Sequence, residues 1–337
     1  MAIGLDNAKL NKNDEFYTRM EDIEKELNEY DPAVFKDKTI FCNCDNPTSS
    51  NFWVFFHMNF NRLGLKKLIA THYTVDGSPS YEMEYNSKDP KDDIDFNKGI
   101  KIPLKENGDF RSSECIDLLK KSDMVVTNPP FSLFREFVAQ LEKYHKKFII
   151  WGNNNAITYK EIFPLIKEGK LWLGYRANKT CYFKLSPDYS KWDEKFTDKI
   201  NDGNHYGKVP AISTFTNIDT KKHHHKLETV YRWRKCKEKY PDLYPKFDNY
   251  NVIDVDRVLQ IPLDYTGVMG VPITFLDAYN PDQFQIIDGS NRYAILDVFK
   301  QNKNIRDHHS HGNNIQGKAK YFRIFIKNKH PEDYQNK

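Results

Sequence analysis

The chain has no apolar run near the roughly 18 residues that a membrane-spanning helix requires, so a transmembrane anchor is not expected. Its opening segment, Met1 to Phe16, has neither a basic head nor an apolar stretch, which argues against a secretory signal. Cysteine is scarce and odd in number. Cys42, Cys44, Cys115, Cys181 and Cys236 are scattered through apolar segments, a usage that fits reduced thiols in a cytoplasmic protein. Cys42 and Cys44 resemble half a zinc site, but no second Cys/His pair follows at the required spacing, and both read as buried strand thiols. An excess of one charge is also missing: 51 Lys and Arg against 47 Asp and Glu leave +4, too mild to identify a nucleic-acid binder. Hydrophobic residues are only 39%, yet 23 Phe, 20 Tyr and 5 Trp give the 337 residues enough aromatic surface for one large or two modest cores.

Periodicity supplies the organisation. Met20, Ile23, Leu27 and Tyr30 recur at helical spacing up to Asp31-Pro32, where proline stops the helix. Thr39 to Asp45 reads as a strand, Ser49-Ser50 as caps, Phe52 to Leu63 as an aromatic helix closed by Gly64, and Lys67 to Tyr73 as a second strand, together a parallel βαβ unit. Residues 76 to 107 break the rhythm and predict an inserted hairpin around Tyr81–Tyr85 and Gly99–Leu104. Alternation then resumes: a helix capped by Ser113 and running to Lys121, a strand from Asp123 to Thr127, a helix from Leu133 to Tyr144, a strand from Phe148 to Trp151, a helix over 158–168 and a strand from Leu171 to Tyr175. The pattern is that of a Rossmann-like, doubly wound α/β sheet over residues 1–176. From 177 to 337 the helical rhythm is lost, leaving short β-like runs at Cys181–Leu185, Ser213–Ile218 and Tyr321–Ile326 and one helical run at Arg292–Lys300, a smaller mixed domain. No internal repeat or long low-complexity linker is apparent.

One segment carries chemistry. Asn128-Pro129-Pro130-Phe131 follows the apolar run Met124-Val125-Val126 and precedes a helix, so it stands at the carboxyl end of a sheet strand, where open α/β sheets bind ligands. Two prolines stiffen the loop and hold an amide and a ring in fixed directions. Those groups suit methylation of an exocyclic amine, a weak nucleophile whose lone pair is delocalised into its ring. The Asn128 side-chain oxygen and the Pro129 carbonyl can each accept one amino hydrogen, and Phe131 can stack on the ring. A stacked duplex base cannot reach such a pocket, so the reading implies base flipping. The same loop can present any planar amine, in RNA or in a protein side-chain amide, and the tetrapeptide alone also fits an ordinary turn.

Along nearly its whole length the chain resembles the EcoRI-type family of adenine-specific DNA methyltransferases. The resemblance is carried by Asp14-Glu15-Phe16-Tyr17-Thr18-Arg19, FCNCDNPTSSNFWVFF (41–56), Gly108-Asp109-Phe110, VVTNPPFSLFREFV (125–138) and GVMGVPITFLDAYNPDQFQII (267–287). It implies S-adenosylmethionine as methyl donor, a flipped adenine in double-stranded DNA as acceptor and N6-methyladenine as product, without a metal, which methyl transfer from a sulfonium does not need. Asn128, Pro129, Pro130 and Phe131 match the catalytic loop. Tyr17 and Thr18, Cys44 and Asp45, and Asp109 and Phe110 match donor-binding positions, Asp109 being the acidic residue that reaches the donor's adenine amino group. A monomer, a restriction-modification setting and a separately encoded cognate endonuclease are further implications. Two departures stand out: the first-strand loop, Cys44-Asp45-Asn46-Pro47, lacks the usual Gly-rich turn, and His72-Tyr73 replaces the ribose-binding carboxylate, with Asp76 as its substitute.

Two further groups of residues stand out. His223, His224 and His225 with His308, His309 and His311 lack flanking carboxylates or ligand spacing, and read as solvated loops rather than a metal site. Over residues 221–237 seven Lys and Arg face one Glu228, a net +6 that leaves the rest of the chain at −2. Interleaved with Tyr231 and Trp233, this segment is expected to carry the DNA-binding residues Arg232, Trp233, Arg234 and Lys235, the alternative being a basic solvent face. Residues 1–176 are thus expected to bind donor and catalyse, and 177–337 to recognise the target. The rival functions are an RNA or protein-amide N-methyltransferase, or a DNA-binding module without turnover.

Overall fold

A computed structural model describes residues 17–74, 78–86, 98–185, 192–248, 250–290 and 314–332. Helix α1, Met20–Leu27, buries Asp22, Ile23, Glu26 and Leu27 on one face. Two of these are carboxylates. Glu26 accepts the backbone N–H groups of Tyr175 (3.0 Å) and Arg176 (2.6 Å) and the Tyr30 hydroxyl (2.8 Å), and Asp22 accepts from the Arg176 guanidinium at 2.6 Å. Burial raises the pKa of Glu26, opposed by those same donors.

Strand β1, Thr39–Cys42, is followed by α2, Asn51–Met58, and α3, Phe60–Leu63. The single aromatic helix expected over Phe52–Leu63 is split at Asn59, whose side-chain amide bonds back to the Phe55 carbonyl at 2.8 Å. Ser50 caps α2 by accepting from Phe52 N–H and Trp53 N–H, and Gly64, at φ +65°, ends α3 in the left-handed region. β2, Lys67–His72, then lies parallel to β1. β3, Tyr81–Asn86, and β4, Ile100–Pro103, form the expected antiparallel insertion on the outer edge. Helix α4, Ser113–Lys121, is capped by Ser112 rather than Ser113, because Ser112 keeps an extended backbone and its hydroxyl accepts the Cys115 N–H at 3.2 Å.

β5, Met124–Thr127, lies parallel to β1 on its other side. Helix α5, Phe134–Lys143, leads to β6, Lys147–Asn153, parallel to β5. The helix expected over 158–168 shortens to α6, Phe163–Lys167, with Pro164 in its first turn. β7, Trp172–Leu173, β8, Lys179–Lys184, and β9, Tyr206–Thr216, complete a nine-stranded sheet among the described residues, in the order β4-β3-β2-β1-β5-β6-β9-β7, with β8 paired to β9. β9 runs antiparallel to β6, and α7, Glu194–Ile200, lies between β8 and β9 in the chain. Every residue of β1 and β5 is buried, as strands covered on both faces require. Ile40, Cys42, Val126 and Trp151 belong to the core that α1, α2 and α3 cover, while Phe41 and Val125, alternating with them, are buried as well. This is the expected Rossmann-like, mostly parallel α/β sheet.

The chain divides into two compact units, one made of the described residues of Met1–Ala156 and Leu173–Ile218, the other of those of Ile157–Trp172 and Asp219–Lys337. The sheet therefore does not stop near residue 176: β8 and β9 extend it. The second unit holds α6 and α8, Trp233–Lys239, and a four-stranded sheet of β10, Ile253–Asp254, β11, Val268–Pro272, β12, Phe284–Gly289, and β15, Arg323–Asn328, in the order β10-β11-β15-β12. A hairpin of β13, Asn314–Ile315, and β14, Lys318–Ala319, precedes β15. Phe247, Tyr250, Val252, Ile315 and Phe325 pack a separate core. The helix expected at Arg292–Lys300 lies outside the described residues. So does Asp76.

Candidate active site

The sheet order reverses between β1, which leads to β2 on one side, and β5, which leads to β6 on the other. Ligands of such sheets bind outside the carboxyl ends of the strands at that switch. The loop after β1 and the loop after β5 both open there. They are joined by Asp45, whose carboxylate accepts hydrogen bonds from the Thr127 hydroxyl at the end of β5 and from the Ser50 hydroxyl at 3.0 Å, at the cap of α2. Asn128 follows Thr127 directly and is half-buried, Pro129 is buried, and the Pro130 carbonyl accepts the Leu133 N–H at 3.0 Å to start the turn into α5. Phe131 is 8% exposed and meets Phe183 edge to face at 6.1 Å. Its ring thus belongs to the core while lying in the loop after β5.

Gly108-Asp109-Phe110 lies against the end of β2. Gly108 adopts φ +78°, and a Cβ there would collide with the His72 carbonyl oxygen and the Ser80 hydroxyl, so only glycine fits. Asp109 is held by Arg111 in a bidentate pair, at 2.8 Å to Nε and 2.7 Å to Nη2, and also accepts the Arg111 N–H at 2.8 Å. Burial raises its pKa, but the hydrogen bonds and charge of Arg111 outweigh it, and the carboxyl ends below its ordinary range. Phe110 is anchored edge-on to Phe137 at 5.1 Å, and its carbonyl accepts from Gln140. Tyr17 pairs its backbone with Lys184, while the Thr18 carbonyl accepts the Asn51 amide at 2.7 Å. Cys44 stays a neutral thiol: burial, and then the charge of Asp45, push it well above the usual range.

Comparison with known proteins gives the family. The family described as "Adenine-specific methyltransferase EcoRI" matches residues 4–329. The chain belongs to this family. It is an adenine-specific DNA methyltransferase. Its relatives include the Type II methyltransferase M.MpnI of Mycoplasma pneumoniae, 44% identical over 95% of this chain and 96% of the relative. The Type II methyltransferase M.MgeORF184P of Mycoplasma genitalium is 42% identical over 95% and 97%, and M.EcoRI of Escherichia coli is 44% identical over 96% of each. No solved structure matches it significantly.

In the methyltransferase's second unit, Arg232, Trp233, Arg234 and Lys235 gather at the start of α8. Trp233 is not a free ring: it packs on Tyr265 (4.6 Å) and Tyr244 (5.4 Å), while its backbone N–H donates to the Asp264 carboxylate at 2.5 Å. Arg232 pairs with Glu332 at 3.2 Å, whereas Arg234 and Lys235 are exposed. The histidine run does meet carboxylates, contrary to its linear appearance. His224 bridges Asp219 and Asp282, whose hydrogen bonds raise its pKa, and His223 is buried against the Trp172 ring at 4.4 Å. His308, His309 and His311 lie outside the described residues. Among the described residues no group of three or more His, Cys, Asp or Glu side chains is arranged for a metal, and no helix is long and apolar enough to cross a membrane.

Thr127 and Arg111 carry no sequence signal of their own, because their roles depend on partners that folding brings near; Ser50 was legible only as a helix cap and not as a partner of Asp45, and Asn43 was not singled out. The Asn43 side chain is 2% exposed, and neither its nitrogen nor its oxygen has a hydrogen-bond partner among the described residues. The Thr18 hydroxyl, 4% exposed, is in the same condition. Leaving such groups unpaired costs about 1–3 kcal/mol each. The one local signal was a polar residue just after a fully buried strand.

Proposed function

We propose that the enzyme transfers a methyl group from S-adenosylmethionine to the N6 amino group of an adenine flipped out of duplex DNA. The observation that carries this reading is the Asp45 junction, which sets the Asn128-Pro129-Pro130-Phe131 loop beside the donor-side loop at the switch point of the sheet. The unpaired Thr18 and Asn43 groups and the ionised Asp109 fit a polar donor in that crevice. When bound, the donor supplies an electrophilic sulfonium methyl. The chain's own residues orient the acceptor: the Asn128 oxygen and the Pro129 carbonyl accept the two amino hydrogens, turning the nitrogen lone pair toward the methyl group, and Phe131 stacks on the flipped base. Asp109 accepts from the donor's adenine amino group while Arg111 keeps it ionised. Tyr17 and Thr18 cover the donor, and Cys44 and Asp45 line it.

In this reading the first compact unit binds donor and catalyses, the second recognises the target, and Arg232, Arg234 and Lys235 contact phosphates. The enzyme works as a cytoplasmic monomer and protects host DNA against a separately encoded cognate endonuclease. Incubation with tritiated donor and duplex DNA, ribosomal RNA or a protein extract tests the substrate. Label recovered as N6-methyladenine in DNA is the expected result; label in RNA or protein, or DNA binding without label, would overturn it.

A further inference from the structure

Between β10 and β11 the chain makes a short 3₁₀ turn, Val258–Gln260, and Leu259 stands on it with 70% of its surface exposed. Among the described residues only Val230, at 79%, is a more exposed large apolar side chain. The turn is braced. Gln260 N–H donates to the Arg257 carbonyl at 2.9 Å, Ile261 N–H to the Val258 carbonyl at 3.2 Å, and the Tyr244 hydroxyl to the Gln260 carbonyl at 2.7 Å. Ile261 and Pro262, next along the chain, are buried, so Leu259 stands on a fixed base.

The same brace leads to the basic helix. The Tyr244 ring packs at 5.4 Å on Trp233, the first residue of α8, and Leu263 N–H donates to the Tyr231 carbonyl at 3.0 Å. Leu259 therefore belongs to one packed block with the segment that carries Arg234 and Lys235. Its neighbour Arg257 is exposed, while Asp256, the acidic residue of the turn, is paired with Arg323 at 3.3 Å and Lys320 at 3.7 Å. The surroundings favour phosphate and the tip itself is apolar.

A protein partner would need a contiguous apolar patch, which the charged Asp256 and Arg257 interrupt. A base step needs only one side chain, and leucine is among the residues that wedge between stacked bases and open them. Extruding an adenine leaves a gap in the stack, and an apolar group inserted there keeps the base from returning.

We propose that Leu259 inserts into the base stack of bound DNA and holds open the gap from which the target adenine leaves. This rests on the reading that the adenine is flipped out of the duplex. Because the side chain carries no charge, its part in binding is invisible to salt and is felt in the opening of the base pair.

The test is single-turnover methylation by the parent, Leu259→Ala, Leu259→Met and Val230→Ala on two duplexes carrying the enzyme's own site, mapped beforehand from DNA that it has methylated. One duplex is fully paired, and the other has an abasic residue opposite the target adenine, so that no pair has to be broken. A parallel titration uses 2-aminopurine in place of that adenine. Leu259→Ala should slow methylation of the paired duplex by about 10- to 100-fold and lower the 2-aminopurine signal, yet come close to the parental rate on the abasic duplex and keep the parental salt slope and unfolding temperature. Leu259→Met should restore the rate on the paired duplex, and Val230→Ala should match the parent on both. A parental rate for Leu259→Ala on the paired duplex, equal losses on both duplexes, or an equal loss in Val230→Ala would each overturn the inference. A parent enzyme that methylates its site without a 2-aminopurine signal and gains nothing from the abasic partner would overturn the flipping reading, and the role of Leu259 with it.

Discussion

The Thr127 hydroxyl, at the end of β5, donates its hydrogen bond to the carboxylate of Asp45, in the loop after β1. Thr127 is fully buried, so this bond joins the loop expected to hold the donor to the residue that precedes Asn128. Replacing Thr127 by valine keeps the shape and removes the bond. Thr127→Val should lower stability by about 1–3 kcal/mol in urea unfolding and weaken donor binding with it. Parental values of both would show that the two loops are held by other means.

Asn128→Ala removes one acceptor for the amine hydrogens and leaves both prolines. The methylation step should slow by about 100-fold or more in single-turnover assays, while donor affinity stays near parental. A folded variant that methylates at the parental rate would exclude Asn128 from orienting the amine.

Asp109→Asn keeps the volume but weakens the pair with Arg111 and removes the charge. Calorimetry with S-adenosylhomocysteine should show weaker binding, with DNA affinity unaffected. The pH dependence has a definite sign. The folded carboxyl titrates below its ordinary 3.8, so its contribution to stability is complete above that value and is lost as the pH falls through the lower folded one. Asp109→Asn should remove that part of the acid unfolding profile; an unchanged profile would contradict it.

His224 has the opposite sign. Asp219 and Asp282 raise it above 6.5, so its stabilising charge is fully present below 6.5 and is lost as the pH rises through the folded value. NMR titration of the His224 ring should give a value above 6.5, and Asp219→Asn with Asp282→Asn should bring it down. A ring that titrates at or below 6.5 in the parent would show that the two carboxylates do not hold it in solution.

Neutralising Arg232, Arg234 and Lys235 together should weaken specific and non-specific DNA binding alike. Each lost phosphate contact should flatten the log–log salt dependence by roughly one unit. Arg234 and Lys235, both exposed at the start of α8, should each contribute to that flattening. A triple variant with the parental salt slope would move the DNA face elsewhere.

Local pattern was enough for the elements that depend on neighbours in the chain. Short continuous apolar runs and stripes of helical spacing located β1, β2, β5, β6, α1, α4 and α5, since strands covered on both faces need unbroken apolar runs and a helix returns to the same face about every 3.6 residues. Asn128 was legible for the same reason: a strand end, two prolines and a helix start are all local. The extension of the sheet was not. β9 is set by pairing Ile149 with Thr216, and β8 by pairing with β9, registers that no short window records. The capture of Asp109 by Arg111 and of Asp45 by Thr127 likewise depended on side-chain reach within the folded chain. Residue types and their periods determined which strands end at the crevice and which polar and aromatic groups the Asn128 loop carries there. Tertiary structure alone decided which polar groups there are satisfied and which, like those of Asn43 and Thr18, are buried without a partner, because burial and partnership are properties of packed surfaces rather than of sequence neighbours.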